Sequence, residues 1–331
     1  MTSATSSATT IRTWFTSMDR QNRSVIIAYL MILVLIAFGT IFVTPNFASP
    51  TFLIQQLRQA SFLGIVAAGQ MVVILTGNID LSISWTLNLA AVVATAVAAG
   101  QNEQFVPALL IGLGIGAVVG LINGFGVAYL RIPSMVLTLG MNALLKGITV
   151  AYTGSAPQFQ KTPDILRQAA TLVLGDIIPV AVLIWGIVSI TNYIVLQRAT
   201  LGRKTYAVGN NEVAAYLSGV RTPLVIIGAF VLSGVLNALA GLLVAGNAGR
   251  SFNEMGEPYL LPAIAAVVVG GTSIAGGSGK YIGTIAGVII IRLLDSGLSI
   301  MQVAPATREI IFGLVILAML FLYGRGEKVR T

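Results

Sequence analysis

The sequence contains no cysteine and no histidine. Those absences remove disulfides, thiol nucleophiles, the Ser-His-Asp triad and the usual zinc sites together. No metal centre is expected, and nothing calls for a cofactor. A membrane enzyme would be left with Asp, Glu, Lys or Ser chemistry, and no pair of these stands at a suggestive spacing. Charge is also scarce. Asp, Glu, Lys and Arg make up 9% of the chain, against about 25% in soluble domains. So few charges cannot clothe a surface in water. With 56% hydrophobic side chains, the bilayer is the natural solvent.

The net charge is +8. On a soluble protein this would point to a nucleic-acid partner. Here it reads as cytoplasmic loops that follow the positive-inside rule and face anionic lipid, with no nucleic acid involved. The first 24 residues are polar and carry Arg12, Arg20 and Arg23. The apolar run that follows, residues 25–43, exceeds the roughly 7–15 residues of a signal-peptide core. It reads as an uncleaved first span behind a cytoplasmic tail, residues 1–24. One membrane domain, residues 25–323, and a short cytoplasmic C-terminal tail, residues 324–331, complete the expected organisation.

A helix needs about 20 apolar residues to cross the hydrocarbon core. Ten stretches qualify: 25–43, 57–76, 83–100, 106–130, 133–153, 171–195, 223–246, 260–275, 281–298 and 307–323. The expected fold class is therefore all-α, a polytopic membrane helix bundle. With the N-terminus inside, the inner segments carry Arg12, Arg20, Arg23, Arg131, Arg198, Arg203, Lys204, Arg221, Lys280, Arg325, Lys328 and Arg330. The outer ones carry only Arg58, Lys161, Arg167, Arg250 and Arg308. This bias places both ends in the cytoplasm.

Small residues recur every four positions. Gly112, Gly116, Gly120 and Gly124 form one ladder; Ala229, Ser233, Asn237, Gly241 and Ala245 form another; Gly279, Gly283 and Gly287 begin a third. Lipid provides little hydrophobic drive between helices, so close backbone approach substitutes for it. Gly120-x-x-Asn123-Gly124 and Gly234-x-x-Asn237-Ala238 echo one another on spans of opposite direction, which hints at an inverted repeat.

The longest polar stretch between spans is residues 196–222. It opens with a basic turn, Leu201-Gly202-Arg203-Lys204, and passes Gly209 to Asn210-Asn211, a helix cap by composition. A short helix follows from Glu212, whose charge suits a helix N-terminus. It runs through the small Ala214 and Ala215 and stops at Gly219. Such a helix, lying flat on the cytoplasmic side, is a mechanical handle; the alternative is an ordinary basic loop.

Four stretches resemble the ribose-type permeases of ATP-binding-cassette importers. They are GQMVVILTGNIDLS (69–82), GLINGFGVAYLRIPSMVLTLG (120–140), LGRKTYAVGNNEVAAYLSGV (201–220) and AIAAVVVGGTSIAGGSGKYIGTIAG (263–287). The resemblance runs from about residue 50 to residue 320. It departs from the common pattern at Asn78, where glycine is usual, and at Ser84-Trp85, where Val-Gly is usual. It implies a type II importer permease architecture with about ten spans. It also implies a second permease copy or sibling, a cytoplasmic ATPase with two nucleotide sites and an external sugar-binding protein. The pattern Glu212-x-Ala214-Ala215-x-x-x-Gly219 is similar to the loop by which such permeases dock on their ATPase.

Other charges invite separate readings. Asp80 is either a cap with Ser82 and Ser84, a partner of a loop cation, or a functional group at the membrane boundary. Arg292 and Asp295, three apart on one helix, are expected to pair. Lys146 has no obvious partner. Asn88, Asn123, Asn142 and Asn237 are candidates for the translocation pathway, against plain interhelical contacts. Lys161, Asp164, Arg167, Arg250, Glu254 and Glu257 are candidates for docking the binding protein. GGTSIAGGSGKY (270–281) fails as a phosphate loop, because Ile274 occupies the first glycine position and Tyr281 follows Lys280. ATP would then be hydrolysed by a partner. An ion-gradient transporter and a permease for branched-chain amino acids are the rival readings.

Overall fold

The computed structural model describes residues 20–154 and 161–324. Most of the expected N-terminal tail, with Arg12, lies outside the described residues, as do Arg325, Lys328 and Arg330 of the C-terminal one. Thirteen α-helices occur among the described residues. They are α1 (Arg20–Phe42), α2 (Pro50–Leu75), α3 (Ile83–Ala98), α4 (Phe105–Ala128), α5 (Ser134–Thr153), α6 (Asp164–Thr171), α7 (Val180–Gln197), α8 (Thr200–Asn210), α9 (Glu212–Leu217), α10 (Thr222–Ala248), α11 (Leu260–Val269), α12 (Tyr281–Ile300) and α13 (Pro305–Gly324).

A helix stands in each of the ten expected places. Seven are long and apolar enough to cross a bilayer: α1, α2, α4, α5, α7, α10 and α12. α3 and α11 are apolar but shorter. The chain is a multi-pass membrane protein of helices.

Local chemistry sets the boundaries. α2 starts at Pro50, with Ser49 Oγ accepting the Phe52 N–H at 3.3 Å, a capped and proline-led entry. The sixth span begins later than the expected residue 171. Residues 173–179 are an antiparallel hairpin pairing Val173 with Pro179 and Leu174 with Ile178. Gly175 and Asp176, at φ +56° and +59°, supply the two left-handed residues that a tight hairpin turn needs. The helix of the eighth expected span, α11, stops at Val269, short of the expected residue 275. A side chain at Gly270 would enter the Gly283 backbone, and Gly271 turns the chain at φ +90°.

α2 and α10 form the buried centre, with about 83% and 61% of their apolar windows enclosed. α2 packs on α10, α11 and α12, while α10 packs on α2, α3 and α4. Short α3 lies against α4 and α5, as short α11 lies against α12 and α13. Exchanging α2–α5 with α10–α13 therefore preserves the pairings. The C-termini of α2 and α4 and the N-termini of α10 and α12 meet at the end where α8 and α9 lie. The two halves thus run in opposite directions, an inverted repeat. The sequence echo misassigns it: Gly120 and Gly234 sit on α4 and α10, which pack on each other, whereas the repeat relates α10 to α2 and α4 to α12.

Candidate functional site

The segment 196–222 forms α8 and α9. Leu201, Gly202, Arg203 and Lys204 belong to the first turns of α8, and the expected basic turn is helical. Gly202 is needed for closeness instead: a side chain there would enter the Val195 and Leu196 carbonyls at the end of α7. Arg203 and Lys204 are exposed. Asn211 caps α9, its Oδ1 accepting the Ala214 N–H at 2.9 Å. Gly219 ends that helix at φ +84° with open space around it, a left-handed position that favours glycine. Ala215 is buried, whereas Ala214, Val213, Tyr216 and Leu217 are exposed.

Glu212 is tied inward. Its Oε1 accepts from Arg131 Nη1 at 2.7 Å and from Thr222 Oγ1 at 3.2 Å. Arg131, in the α4–α5 turn, is the partner that sequence spacing missed, 81 positions away.

Three distant segments converge at the end of α8. The Gly277 N–H donates to the Leu75 carbonyl at 3.0 Å. Asn210 Nδ2 donates to the Gly277 carbonyl at 3.0 Å, and the Tyr206 hydroxyl to the Gly279 carbonyl at 2.8 Å. Burial pushes the Tyr206 hydroxyl up to about 12, so it remains a donor at neutral pH. A side chain at Gly209 would overlap the Leu75 carbonyl, and one at Gly276 would meet the Gly77 nitrogen at 2.6 Å. The glycine-rich stretch 270–280 is a turn moulded to α2 and α8.

Beyond Leu75 the chain is non-helical through residues 76–82. Asn78 turns its amide back to Thr76 Oγ1 at 3.1 Å. The Ile79 and Leu81 N–H groups donate to Ser134 Oγ and Thr138 Oγ1 of α5 at 3.2 and 2.9 Å. Asp80 is 2% exposed. Its Oδ1 accepts from the Ser82 N–H and hydroxyl at 2.9 and 2.6 Å, and its Oδ2 from the Ser233 hydroxyl at 3.0 Å. Those hydroxyls accept in turn from Asn123 Nδ2 at 2.9 Å and Asn237 Nδ2 at 3.3 Å. Two donor relays, from α4 and α10, end on one carboxylate. Asp80 thus bonds Ser82 and Ser233 and not Ser84, and Ser82, at the N-cap of α3, makes no side-chain cap bond.

A cavity of about 510 Å³ opens between the two repeats, walled by α2, α3, α5, α11, α12 and α13. At 1.5 Å per helical residue, its residues Leu63 and Gln59 on α2 and Arg292 and Asp295 on α12 lie about 17–24 Å from the α8 end. Among the four pathway asparagines, Asn142 lines this cavity, where its Oδ1 accepts from Ser84 Oγ at 3.0 Å and the Trp85 N–H at 3.4 Å. Asn88, Asn123 and Asn237 are fully buried among the helices.

Arg292 and Asp295 pair at 2.9 Å, and Arg308 completes a triad by bonding the other Asp295 oxygen at 2.9 Å. Sequence spacing missed Arg308, which lies thirteen positions away across a helix break. Lys146 has partners after all: Glu257 at 3.7 Å and the face of Trp85 at 5.3 Å. At the end of α10 away from α8, Lys161 bridges to Arg250 through the backbone. Asp164 opens α6, with Arg167 one turn on. Glu254 and Glu257 follow on the segment into α11. The six charged docking candidates thus share one end, with Glu257 turned into the cavity.

A family model described as "Branched-chain amino acid transport system / permease component" matches residues 52–320. The ribose import permease protein RbsC of Escherichia coli (strain K12) is 35% identical over 310 residues, covering 92% of this chain and 94% of the relative. The galactose/methyl galactoside import permease protein MglC of the same strain is 36% identical over 306 residues, covering 87% and 90%. The fructose import permease protein FrcC of Rhizobium meliloti is 35% identical over 300 residues, covering 87% and 81%. No solved structure matches the chain significantly. The matched span and these relatives place the chain, a transport component of the membrane, in the branched-chain amino acid transport system permease family.

Proposed function

We propose that this chain is the membrane permease subunit of an ATP-driven sugar importer. The observation that carries the reading is near-end-to-end similarity to permeases named for ribose, galactose and fructose import. Although the family model is named for branched-chain amino acids, these relatives favour a monosaccharide cargo over that rival and over an ion-gradient transporter.

In this reading the chain sits in the bacterial inner membrane with residues 1–24 and 324–331 in the cytoplasm. A partner ATPase with two nucleotide sites hydrolyses ATP and presses on the 196–222 segment. Val213, Tyr216 and Leu217, exposed on α9, offer it an apolar contact, flanked by Arg203 and Lys204. A sugar-binding protein docks on the opposite, charged end. A second permease, identical or a sibling, completes the pore. Nucleotide-driven closure switches the pair between outward- and inward-open states, whose balance is set by differential partner contacts.

The test is purification in mild detergent followed by mass spectrometry and reconstitution. A co-purifying ATPase and ATP-dependent uptake of ribose, galactose or fructose into liposomes support the reading. Substrate movement without ATP or an ATPase overturns it.

A further inference from the structure

The triad Arg292–Asp295–Arg308 forms one wall of the cavity between the repeats. We propose that this triad is the sugar-gripping element of the translocation path, and that Arg308 is its principal contact residue. The proposal deepens the sugar-importer reading and rests on it.

Three observations converge. The first is position. The cavity is bounded by α5 of one repeat and α13 of the other, and transporter sites lie where inverted repeats meet. The triad stands about 17–21 Å from the α8 end along α12, beyond the middle of a hydrocarbon core about 30 Å thick.

The second is donor capacity. A guanidinium carries five N–H donors in a rigid fork. Arg292 spends one on Gln56 Oε1 at 3.1 Å and one on Asp295. Arg308 spends one on Asp295. Asp295 accepts from each through a separate oxygen, so it holds both forks in place without saturating either. The three side chains are 21–27% exposed, so they are anchored yet accessible.

The third is charge balance. The cavity is lined by Arg292 and Arg308 against Glu257, Asp295 and Glu309, and Glu257 is faced by Lys146. A compensated wall does not select an anion or a cation. It offers adjacent donors and acceptors, which is what a neutral polyol satisfies, because each hydroxyl both donates and accepts. Asn142 and Ser84 line the same space.

A permease supplied by a binding protein has its apparent affinity set outside the membrane. A contact residue in the path should therefore alter sugar delivered per ATP consumed, and leave the stimulation of ATP hydrolysis intact. The complete complex in liposomes, with labelled ribose, galactose and fructose tried in turn, measures both quantities. Arg308→Gln should lower sugar per ATP by about tenfold, the scale of losing hydrogen bonds from a charged donor. ATPase stimulation should stay within about twofold. Arg308→Lys, which keeps the charge and loses the fork, should fall between. Asp295→Asn, which releases both forks, should also lower sugar per ATP.

Unchanged sugar per ATP in Arg308→Gln overturns the proposal alone. So does a parallel loss of ATPase and uptake that Arg308→Lys does not relieve, since that is the mark of a structural role. If the unmodified complex shows no ATP-driven uptake of any of the three sugars, the importer reading falls and takes this proposal with it.

Discussion

Gly116 of α4 and Gly234 of α10 meet backbone to backbone, each standing where a side chain on the other would strike a carbonyl. Neighbouring steps repeat the fit in antiparallel register, Gly120 against Phe230 and Gly124 against Ile227. The two ladders are thus a packing surface. Gly234→Val should destabilise the detergent-solubilised protein by about 2 kcal/mol or more, the scale of overpacking where backbone must yield. Gly114→Ala, on the same surface's partner helix with nothing within 4 Å, is the control and should hold its melting temperature. Equal melting of the two variants would sink the account.

The Arg131 and Glu212 side chains are 63% and 35% exposed. A pair this accessible is worth about 0–1 kcal/mol. Glu212→Arg should therefore barely move the melting temperature while reducing ATP-driven uptake about tenfold or more, an effect on coupling and not on folding. The exchanged pair Arg131→Glu with Glu212→Arg separates two roles. Recovered uptake assigns Glu212 to bracing α9 against the α4–α5 turn; persistent loss assigns it to the ATPase contact.

Gly209 and Gly219 make opposite demands. Gly209 is pressed on Leu75, whereas Gly219 faces open space at a left-handed φ. Gly209→Val should lower yield and melting temperature, because the Leu75–Gly277 contact must part. Gly219→Val should cost about 1–3 kcal/mol of backbone strain at that left-handed position, insert normally and still lose ATP-driven uptake. Thermal melting and uptake on the same preparations decide it; full uptake by Gly219→Val would remove that glycine from the coupling role.

Asp80 terminates two relays of donors, and its loss should be felt on both helices. Asp80→Leu strands the Ser82 and Ser233 hydroxyls in a buried setting, at about 1–3 kcal/mol for each unsatisfied group. Asp80→Asn keeps one acceptor oxygen and should lose less. Guanidinium or thermal denaturation in detergent would rank the two variants; a tie would show that the carboxylate does not organise this core.

The helices were legible because a span is written locally, in about 20 consecutive apolar residues. The cap at Asn211 and the stop at Gly219 are local too. The failures were of other kinds. Residues 171–179 are as apolar as a span, yet two adjacent left-handed residues fold them into a hairpin. Gly202 looked like a turn glycine, but its reason lies in the carbonyls of α7, contacts that no window of sequence contains. Arg131, Arg308 and the Lys146–Glu257 pair are invisible for the same cause: their partners come from other elements. The resemblance to a family marked where function concentrates, while the cavity emerged only when α5 and α13 were brought to the same space.

The non-helical residues 76–82 leave α2 at Leu75, whose carbonyl is bonded by the glycine-rich turn and abutted by Gly209 of α8, and are bonded within a few residues to α5, one turn before Asn142. No loose chain separates the two attachments. A push delivered to α8 would therefore find no slack to stretch before it reached the wall of the cavity. The stroke at that wall should track the stroke at the membrane surface nearly one to one, as in a short push-rod. On this view the permease needs only small movements of its partner, and lengthening this segment by even a few flexible residues should let the motor turn over while the gate stays still.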